Sequence, residues 1–367
     1  MAISKKDGIG AHQYFFIDPF VWCKLLWTNR KGPKSSIRRL VLITSISVLS
    51  YPFQLMNGWL AYWKSRNLPD VPDPVFIIGH WRSGTTFLQY LLSQDDRFGY
   101  LTYYQAFIPN LSILGGKWLK RRVAPFIPAK RPQDDVHLHV DLPTEEENPI
   151  ATFGTTSASH SWFWPTNESY HRRYAIFNGI TQADYLRWTK NYRRMLRRIS
   201  INWPGRQLLI KNPHNTGRIP ELLELYPNAR FIYLHRDPQE VYPSTRLMYD
   251  RVILTQYLEL YPVSNTTDKI FNYAVDILDR YMSTSRQVRP SHLIEIDYTH
   301  LVKDPKEVIA QIYGHFDYHL DNATLDRITT YLSERSDYRV NRHVNDAALF
   351  RRIQTSWPAF ERNKNDV

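Results

Sequence analysis

The sequence is poor in cysteine, in glycine and in acidic charge. It has one cysteine, Cys23, among 367 residues, 14 glycines, and 35 Asp+Glu against 47 Lys+Arg. One cysteine excludes an intrachain disulfide framework and any Cys-based zinc or iron–sulfur site, and it favours a reducing compartment. So few glycines, with 23 scattered prolines, exclude a collagen-like or low-complexity chain. The 43% of hydrophobic residues is enough for a core and excludes wholesale disorder.

Long apolar segments are also scarce. The first twenty residues show no continuous apolar core and no small-residue cleavage site, so we expect no signal peptide. The segment Leu40–Trp63 carries no charge and is long enough to span a bilayer. It contains six polar side chains and Pro52, and basic residues flank both of its ends. We therefore expect a buried or interfacial helix pair broken at Pro52 rather than a membrane span.

Positive charge is concentrated near the start of the chain. Residues 1–40 contribute +6 of the net charge of +12, and aromatic residues are interleaved with the basic ones. Such a segment either packs on the main domain, which we favour, or rests on anionic lipid. The chain shows no nucleic-acid-binding motif. We expect a cytoplasmic protein, with peripheral membrane contact left open and the oligomeric state unassigned.

The pattern of short strands and helices predicts the fold class. Three prolines in Asn67–Pro74 indicate a linker between a helical, basic and aromatic extension, 1–70, and a catalytic domain, 71–367. Short apolar runs separated by helices predict an α/β, three-layer fold with a central parallel sheet. The predicted strands are Val75–Ile78, Leu208–Ile210, Arg230–His235 and His292–Ile296.

The stretch Gly79–Thr86, GHWRSGTT, lies between the first predicted strand and a helix that begins near Thr85. Backbone N–H groups of a glycine turn and the positive end of a helix bind oxyanions. The spacing G-x-x-x-x-G matches a Walker A loop, but Thr85 stands where that motif requires Lys. The basic side chain is Arg82, inside the loop. We predict an anion cradle formed by Arg82, Ser83, Gly84, Thr85 and Thr86.

Further polar residues follow the second and third predicted strands. Arg236 follows the third strand, with Ser244 eight residues later, and such a pair suits a second phosphate at the carboxyl edge of the sheet. The alternative is a turn salt bridge between Arg236 and Asp237. Lys211 ends the second strand, where its ammonium group either reaches a ligand at the edge of the sheet or lies on the surface. His214 is either a base or a structural loop residue.

Together these motifs resemble the sulfotransferases that use 3′-phosphoadenylyl sulfate (PAPS). The residues Arg82–Thr86 resemble their 5′-phosphosulfate loop, and the spacing from Arg236 to Ser244 resembles their 3′-phosphate motif. The similarity extends over residues 75–316 and is closest to the diverse, largely bacterial branch. It implies a P-loop-like fold, no metal, PAPS as donor and adenosine 3′,5′-bisphosphate (PAP) as product. Sulfuryl transfer to a hydroxyl or an amine is the implied reaction, with Arg82 and Lys211 stabilising the developing charge.

The general base is less clearly marked. The stretch Tyr103–Gln105 lacks the carboxylate that tyrosylprotein sulfotransferases carry after the loop. The run Pro143–Glu147 resembles an acidic stretch of the bacterial branch, and we predict Glu145 as the base. Its rivals are Glu146, His137, His139 and His214. A metal site at His137, His139 and Asp141 is disfavoured because the sequence offers no closed ligand set.

We therefore predict a sulfotransferase that moves a sulfuryl group from PAPS to a hydroxyl acceptor. The 14% of aromatic residues favours an apolar alcohol, a lipid or a sterol. One alternative is a P-loop nucleotide kinase, with Glu295–Asp297 as a Walker B segment and an absolute need for magnesium. Another is a non-catalytic nucleotide-binding module at a membrane.

Overall fold

The computed structural model describes residues 12–131 and 136–334 and positions 351, 353, 355 and 357. Residues 1–11, with Lys5 and Lys6 of the basic segment, lie outside the described residues, as do Asp134 and Asp135 beside the acidic stretch. The chain divides into two units. The first comprises residues 1–70, 101–205 and 248–266, and the second comprises residues 71–100, 206–247 and 267–367. The predicted division into 1–70 and 71–367 stays a prediction.

The second unit is built on a parallel five-stranded sheet with strand order β2-β3-β1-β4-β5. The predicted α/β fold with a central parallel sheet is confirmed. The strands are β1 (Val75–Ile78), β2 (Phe98–Gly99), β3 (Gln207–Lys211), β4 (Arg230–His235) and β5 (Leu293–Asp297). Two of the four predicted strands have the observed bounds, and the others differ by one residue at each end or by a shift of one. The two-residue β2 was not predicted.

The central strand β1 is buried along its whole length, as its uninterrupted apolar run VFII requires between two neighbouring strands. Strand β3 pairs on one side of it and β4 on the other. After β1 the chain proceeds to β2 and β3 on one side, whereas after β4 it proceeds to β5 on the other. The carboxyl ends of β1 and β4 therefore form a topological switch point, where open α/β sheets bind their ligands.

Helices of the second unit pack on this sheet. Apolar residues of the sheet and of several helices form one buried cluster, which includes Leu88, Leu91, Ile232 and Val308. The helices are α3 (Thr85–Leu92), α9 (Ile219–Leu225), α10 (Pro238–Met248), α12 (Thr266–Thr284), α13 (Tyr298–Lys303), α14 (Pro305–His315) and α15 (Asn322–Ser333). Short terminal parts of α10 and α12 belong to the first unit.

The first unit is helical. Its helices are α1 (Pro19–Thr28), α2 (Ile37–Arg66), α4 (Tyr103–Phe107), α5 (Gly116–Val123), α6 (Glu147–Phe153), α7 (Glu168–Ile176), α8 (Gln182–Ser200) and α11 (Leu254–Gln256). Aromatic residues from the start of the chain form a buried cluster there with Trp164 and Phe163. The segment between α2 and β1 has no helix or strand, as its prolines predict.

The expected break at Pro52 is wrong. Helix α2 runs through this residue as one 30-residue helix. Proline lacks the N–H that would bond to the carbonyl four residues earlier. The carbonyl that loses this donor is that of Val48. Beside it, the hydroxyl of Ser50 and the amide of Gln54 donate to the carbonyl of Ser47, at 3.2 and 3.4 Å. By length and composition α2 could cross a membrane, and 28% of its most apolar window is buried.

Candidate active site

The loop between β1 and α3 has the backbone of an anion cradle. Three of its residues have positive φ: Gly79 at 137°, Arg82 at 69° and Gly84 at 94°. Gly84 occupies the N-cap position of α3 and offers no side chain there, so the first-turn N–H groups at Thr85 and Thr86 face outward from the helix start. These donors and the helix dipole favour an anion.

The glycines are required by close packing as well as by φ. A Cβ on Gly79 would lie 2.3 Å from the carbonyl oxygen of Leu234 in β4, and one on Gly84 would lie 2.5 Å from the Tyr298 ring. The hydroxyl of Ser83 donates to the carbonyl of His80 at 2.7 Å and so closes the turn. Packing and this hydrogen bond therefore define the shape of the loop.

The two predicted phosphate motifs meet in the structure. Nε of Arg82 donates to the hydroxyl of Ser244 at 2.9 Å, and a terminal nitrogen of Arg236 donates to the carbonyl of Arg82, also at 2.9 Å. Arg236 is largely buried, lies over the Tyr298 ring at 4.0 Å and pairs with Glu240 at 2.8 Å. The predicted alternative, a turn salt bridge to Asp237, is not the contact seen, because Glu240 one turn later takes that guanidinium.

Lys211 and His214 follow the neighbouring strand. Lys211 pairs in register with Ile77 of β1, two residues before Gly79, and only 4% of it is exposed, so it is not a surface lysine. His214 is fully buried, its Nδ1 hydrogen-bonds the Tyr273 hydroxyl, and its ring meets the Trp81 ring edge-on at 4.9 Å. These contacts fix the imidazole beside the loop.

Thr216 holds the start of the loop, a role that the sequence did not reveal. Its hydroxyl accepts a hydrogen bond from the N–H of Gly79 at 2.8 Å and donates to the carbonyl of the same residue at 3.2 Å. The short helical turn Pro213–Gly217 that carries it begins at Asn212, whose side chain accepts from the N–H of His214. The motif KNPHNT signals a turn but not its partner, since Thr216 and Gly79 are 137 residues apart.

The buried histidine of the loop is neutral at physiological pH. Burial lowers the pKa of His80 to about 4, and the hydrogen bond of its Nδ1 to the carbonyl of Trp81, at 2.8 Å, opposes the shift only in part. The positive charge of the cradle therefore comes from arginine and lysine side chains and from the helix dipole.

The predicted base lies in the first unit, in a run of three glutamates. Glu147 is buried and accepts from Ser157 and from the N–H of Ala158. Glu146 is buried and accepts from the Tyr192 hydroxyl at 2.9 Å. Glu145 is only half-buried. Of the three carboxylates, Glu145 is the most accessible to a substrate.

The two histidines before this run, the rival bases His137 and His139, lie outside the five strands. His137 makes an isolated bridge with Lys130, and the exposed His139 lies 3.6 Å from the carboxylate of Asp141. Backbone pairing stops there because Leu142 turns back to bond the carbonyl of His139. Within the described residues, no three His, Cys, Asp or Glu side chains gather as a metal site.

The carboxylates of the kinase alternative have structural partners. Glu295 accepts from the Tyr281 hydroxyl. Asp297 caps α13 by accepting from the N–H groups of Thr299 and His300, and it lies 3.4 Å from His235. These contacts therefore engage the carboxylates that a Walker B segment would use to bind magnesium.

The first unit contains a cavity of about 290 Å³. Its walls are largely apolar and aromatic, with Phe107, Ile127, Leu138 and Phe163 among them. Thr144 and Asn148, which bracket the glutamate run, also line it. Such a cavity suits the apolar part of a small molecule.

Comparison with known proteins identifies the family. The model described as "Sulfotransferase family" matches residues 74–322, more than half of the chain. Two curated proteins, from Mycobacterium bovis and Mycobacterium tuberculosis, are 27% identical over 328 residues, which is 87% of this chain and 82% of theirs. Each is named omega-hydroxy-beta-dihydromenaquinone-9 sulfotransferase Stf3.

Two solved structures share the fold. Sulfotransferase STF9 from Mycobacterium avium has a TM-score of 0.65 at 18% identity, covering 99% of each chain. Sulfotransferase STF1 from Mycobacterium tuberculosis has a TM-score of 0.63 at 17% identity, covering 85% of this chain and 86% of its own. These structures support the fold alone. The family match confirms the prediction of a PAPS-dependent sulfotransferase, and the chain belongs to the sulfotransferase family.

Proposed function

We propose that this sulfotransferase moves a sulfuryl group from PAPS to the hydroxyl of an apolar, lipid-like alcohol. The observation that carries the proposal is the direct contact of the two phosphate motifs, Arg82 with Ser244 and Arg236 with the Arg82 carbonyl, at the switch point of the sheet. A donor with a phosphosulfate at one end and a 3′-phosphate at the other needs two such cationic positions in one crevice.

The phosphosulfate and the 3′-phosphate of PAPS would bind to different residues. The loop residues Arg82–Thr86 take the phosphosulfate, because the backbone N–H groups and the end of α3 face it. Arg236 and Ser244 take the 3′-phosphate, with the guanidinium oriented by the Tyr298 ring. Lys211, at the carboxyl end of β3, stabilises charge on the sulfuryl group and on the leaving phosphate.

The acceptor assignment rests on the first unit and on the relatives. The surface of the cavity of about 290 Å³ is mainly apolar, which suits the hydrocarbon part of an acceptor. The curated relatives are named for an acceptor that is a hydroxylated menaquinone derivative. A hydroxyl on a long apolar chain or ring system is therefore the acceptor class we propose.

Glu145 is the proposed general base. It is half-buried, and its neighbours Thr144 and Asn148 line the cavity. The proposal requires the acceptor hydroxyl within about 3 Å of this carboxylate. The hydroxyl oxygen attacks sulfur as its proton passes to Glu145, and the sulfur–oxygen bond to the phosphate breaks. The electron pair of the broken bond leaves with PAP, and the transfer needs no oxidant or reductant.

The test is a transfer assay with labelled PAPS against lipid, steroid, phenol and carbohydrate alcohols. We expect labelled product with the apolar alcohols. Glu145→Gln keeps the shape and removes the basicity, so turnover should fall by about 10²–10⁴ while PAP affinity stays nearly unchanged. Glu334→Gln, on an exposed carboxylate, is the matched control. Retention of turnover in Glu145→Gln, with loss in Glu146→Gln or His139→Ala, would contradict the assignment of the base.

We also propose that the protein works in contact with a membrane, where a lipid alcohol would reside. The basic, aromatic segment within residues 1–40 supports this proposal by its charge. The cytoplasmic location of the protein and the absence of a metal requirement stay predictions. A sulfotransferase should stay active in the presence of a chelator, whereas a kinase should require magnesium, so this comparison distinguishes the two.

A further inference from the structure

Helix α2 exposes large apolar side chains on one side and buries both polar and apolar side chains on the other. At about 100° per residue, its large exposed side chains fall on one half of the helix surface. We call this half the α2 outer face. Its residues are Ile37, Val41, Val48, Leu49, Phe53, Leu55, Met56, Trp59, Tyr62 and Trp63. Leu49 is 75% exposed and Trp59 is 64% exposed. A contiguous apolar surface of this size marks an interaction site.

The opposite half of α2 is fixed to the first unit by polar groups. Asn57 is fully buried, and its side-chain oxygen accepts from the N–H groups of Ile113 and Leu114, at 2.9 and 2.8 Å. Ser47 and Gln54 donate to the carbonyl of Ile17, at 2.7 and 3.3 Å. These bonds hold α2 against the first unit. A partner can therefore contact α2 at its outer face, with the helix axis lying along the surface of that partner.

Helices α1 and α2 and the segment between them carry charge of one sign. Residues 19–69 contain eight Lys and Arg and no Asp or Glu. Arg38 lies at the start of α2, Lys64 and Arg66 lie at its end, and all three are exposed. Apolar and aromatic side chains between basic ends match the chemistry of an anionic bilayer, with acyl chains beneath negative headgroups.

Two neighbouring elements carry the same combination. Helix α1 exposes Phe20 and Trp27, and it is joined to α2 by a hydrogen bond from Trp22 to Thr44 at 2.8 Å. Helix α5, which begins two residues after the segment bonded by Asn57, exposes Trp118 beside Arg122. Tryptophan and basic residues are enriched where proteins meet the headgroup region.

From these observations we propose that the α2 outer face docks flat on the surface of an anionic lipid bilayer, without spanning it. A protein partner would need an acidic, apolar groove, whereas a bilayer supplies both chemistries over the length of the helix. A span would have to pull Asn57, Ser47 and Gln54 from their hydrogen bonds into acyl chains, where these groups have no partners. The proposal extends the membrane contact suggested above and specifies the surface that makes it.

The test uses vesicles of phosphatidylcholine alone and of phosphatidylcholine with phosphatidylglycerol. The full-length protein should sediment with the anionic vesicles, and high salt should weaken binding. The variant Leu49→Glu/Phe53→Glu places two charges on the α2 outer face and should lower the partition by about tenfold or more. Arg38→Glu should weaken binding only to the anionic vesicles, by about fivefold or more. Leu186→Glu, at an exposed leucine of α8, is the matched control and should bind normally.

The single cysteine allows a second readout. In a C23S background, Leu49→Cys and Leu186→Cys can each carry an environment-sensitive fluorophore. We expect the probe at position 49 to brighten and shift to the blue with anionic vesicles, and the probe at position 186 to stay unchanged. PAP binding reports that each variant is folded, so a failure of vesicle binding is distinguishable from a failure of sulfuryl transfer.

Three results would overturn the proposal. The first is equal vesicle binding by the wild type and Leu49→Glu/Phe53→Glu. The second is retention on membranes through carbonate extraction, which indicates a span. The third is a wild-type dimer that ignores vesicles and becomes a monomer in Leu49→Glu/Phe53→Glu, because the face would then pair with a second copy.

Discussion

Replacing Arg236 by alanine should abolish the preference of the protein for PAP over adenosine 5′-phosphate. Arg236 is 8% exposed, and its guanidinium is oriented by the Tyr298 ring, Glu240 and the carbonyl of Arg82. A charge-assisted hydrogen bond at such a buried position is worth about 1.5–3 kcal/mol, which corresponds to about 10- to 150-fold in affinity. This factor should be lost for PAP, the nucleotide that carries the 3′-phosphate.

Calorimetric titration with both nucleotides measures the effect. Arg236→Lys keeps the charge but not the planar fork, so it should recover part of the preference. Glu240→Gln removes an anion beside the guanidinium and should therefore raise PAP affinity slightly. Because Glu240 is largely exposed, its replacement should change the stability of the protein little. Arg187→Ala, at an exposed arginine of α8, is the control. Equal weakening of the two nucleotides by Arg236→Ala would refute the assignment and reduce this residue to a support of the loop.

Three further predictions follow from the structure. Gly84→Ala should destabilise the protein by about 2 kcal/mol or more, because φ is 94° and a Cβ would meet the Tyr298 ring. The control Gly205→Ala, with φ at 74° and open space around the Cβ, should lose only the free energy of backbone strain; equal losses of stability in urea unfolding would contradict the clash. Stability should fall as pH drops from 6.5 toward 4, because burial lowers the pKa of His80 and His160 to about 4 and protons then favour the unfolded chain; equal urea midpoints at pH 7.5 and 5 would refute this. Thr216→Val should weaken PAP binding by about fivefold or more through the Gly79 N–H that loses its acceptor, and unchanged binding would show that the loop shape does not depend on it.

The sheet was largely predictable because its strands are short apolar runs between strong breakers. Val75–Ile78 lies between Pro74 and Gly79, and Arg230–His235 is followed by Asp237 and Pro238, so their ends are marked in the sequence. Strand β2 has two residues and offers no pattern to detect. The loop proposed to bind the phosphosulfate was recognisable because its glycine spacing and its position between a strand and a helix are local features of the chain.

What could not be predicted depends on contacts between distant residues. The hydroxyl of Thr216 and the ring of Tyr298 shape the loop around Gly79 and Gly84 from other strand ends, and nothing in their own neighbourhoods indicates those partners. Helix α2 continues through Pro52, and nothing in the local sequence indicates that the helix is preserved there. The orientation of α2 was also not predictable, since composition does not show which half of a helix faces the protein.

The most direct test of the central claim is sulfuryl transfer from labelled PAPS to a hydroxylated polyprenyl lipid, measured in chelator. A matched short-chain alcohol with the same hydroxyl serves as the comparison. We predict transfer to the lipid, a much lower kcat/KM for the short alcohol, and loss of both activities in Arg82→Ala. Transfer to carbohydrate or phenol acceptors in preference to the lipid would contradict the proposed acceptor, and phosphoryl transfer from ATP with magnesium would contradict the reaction itself.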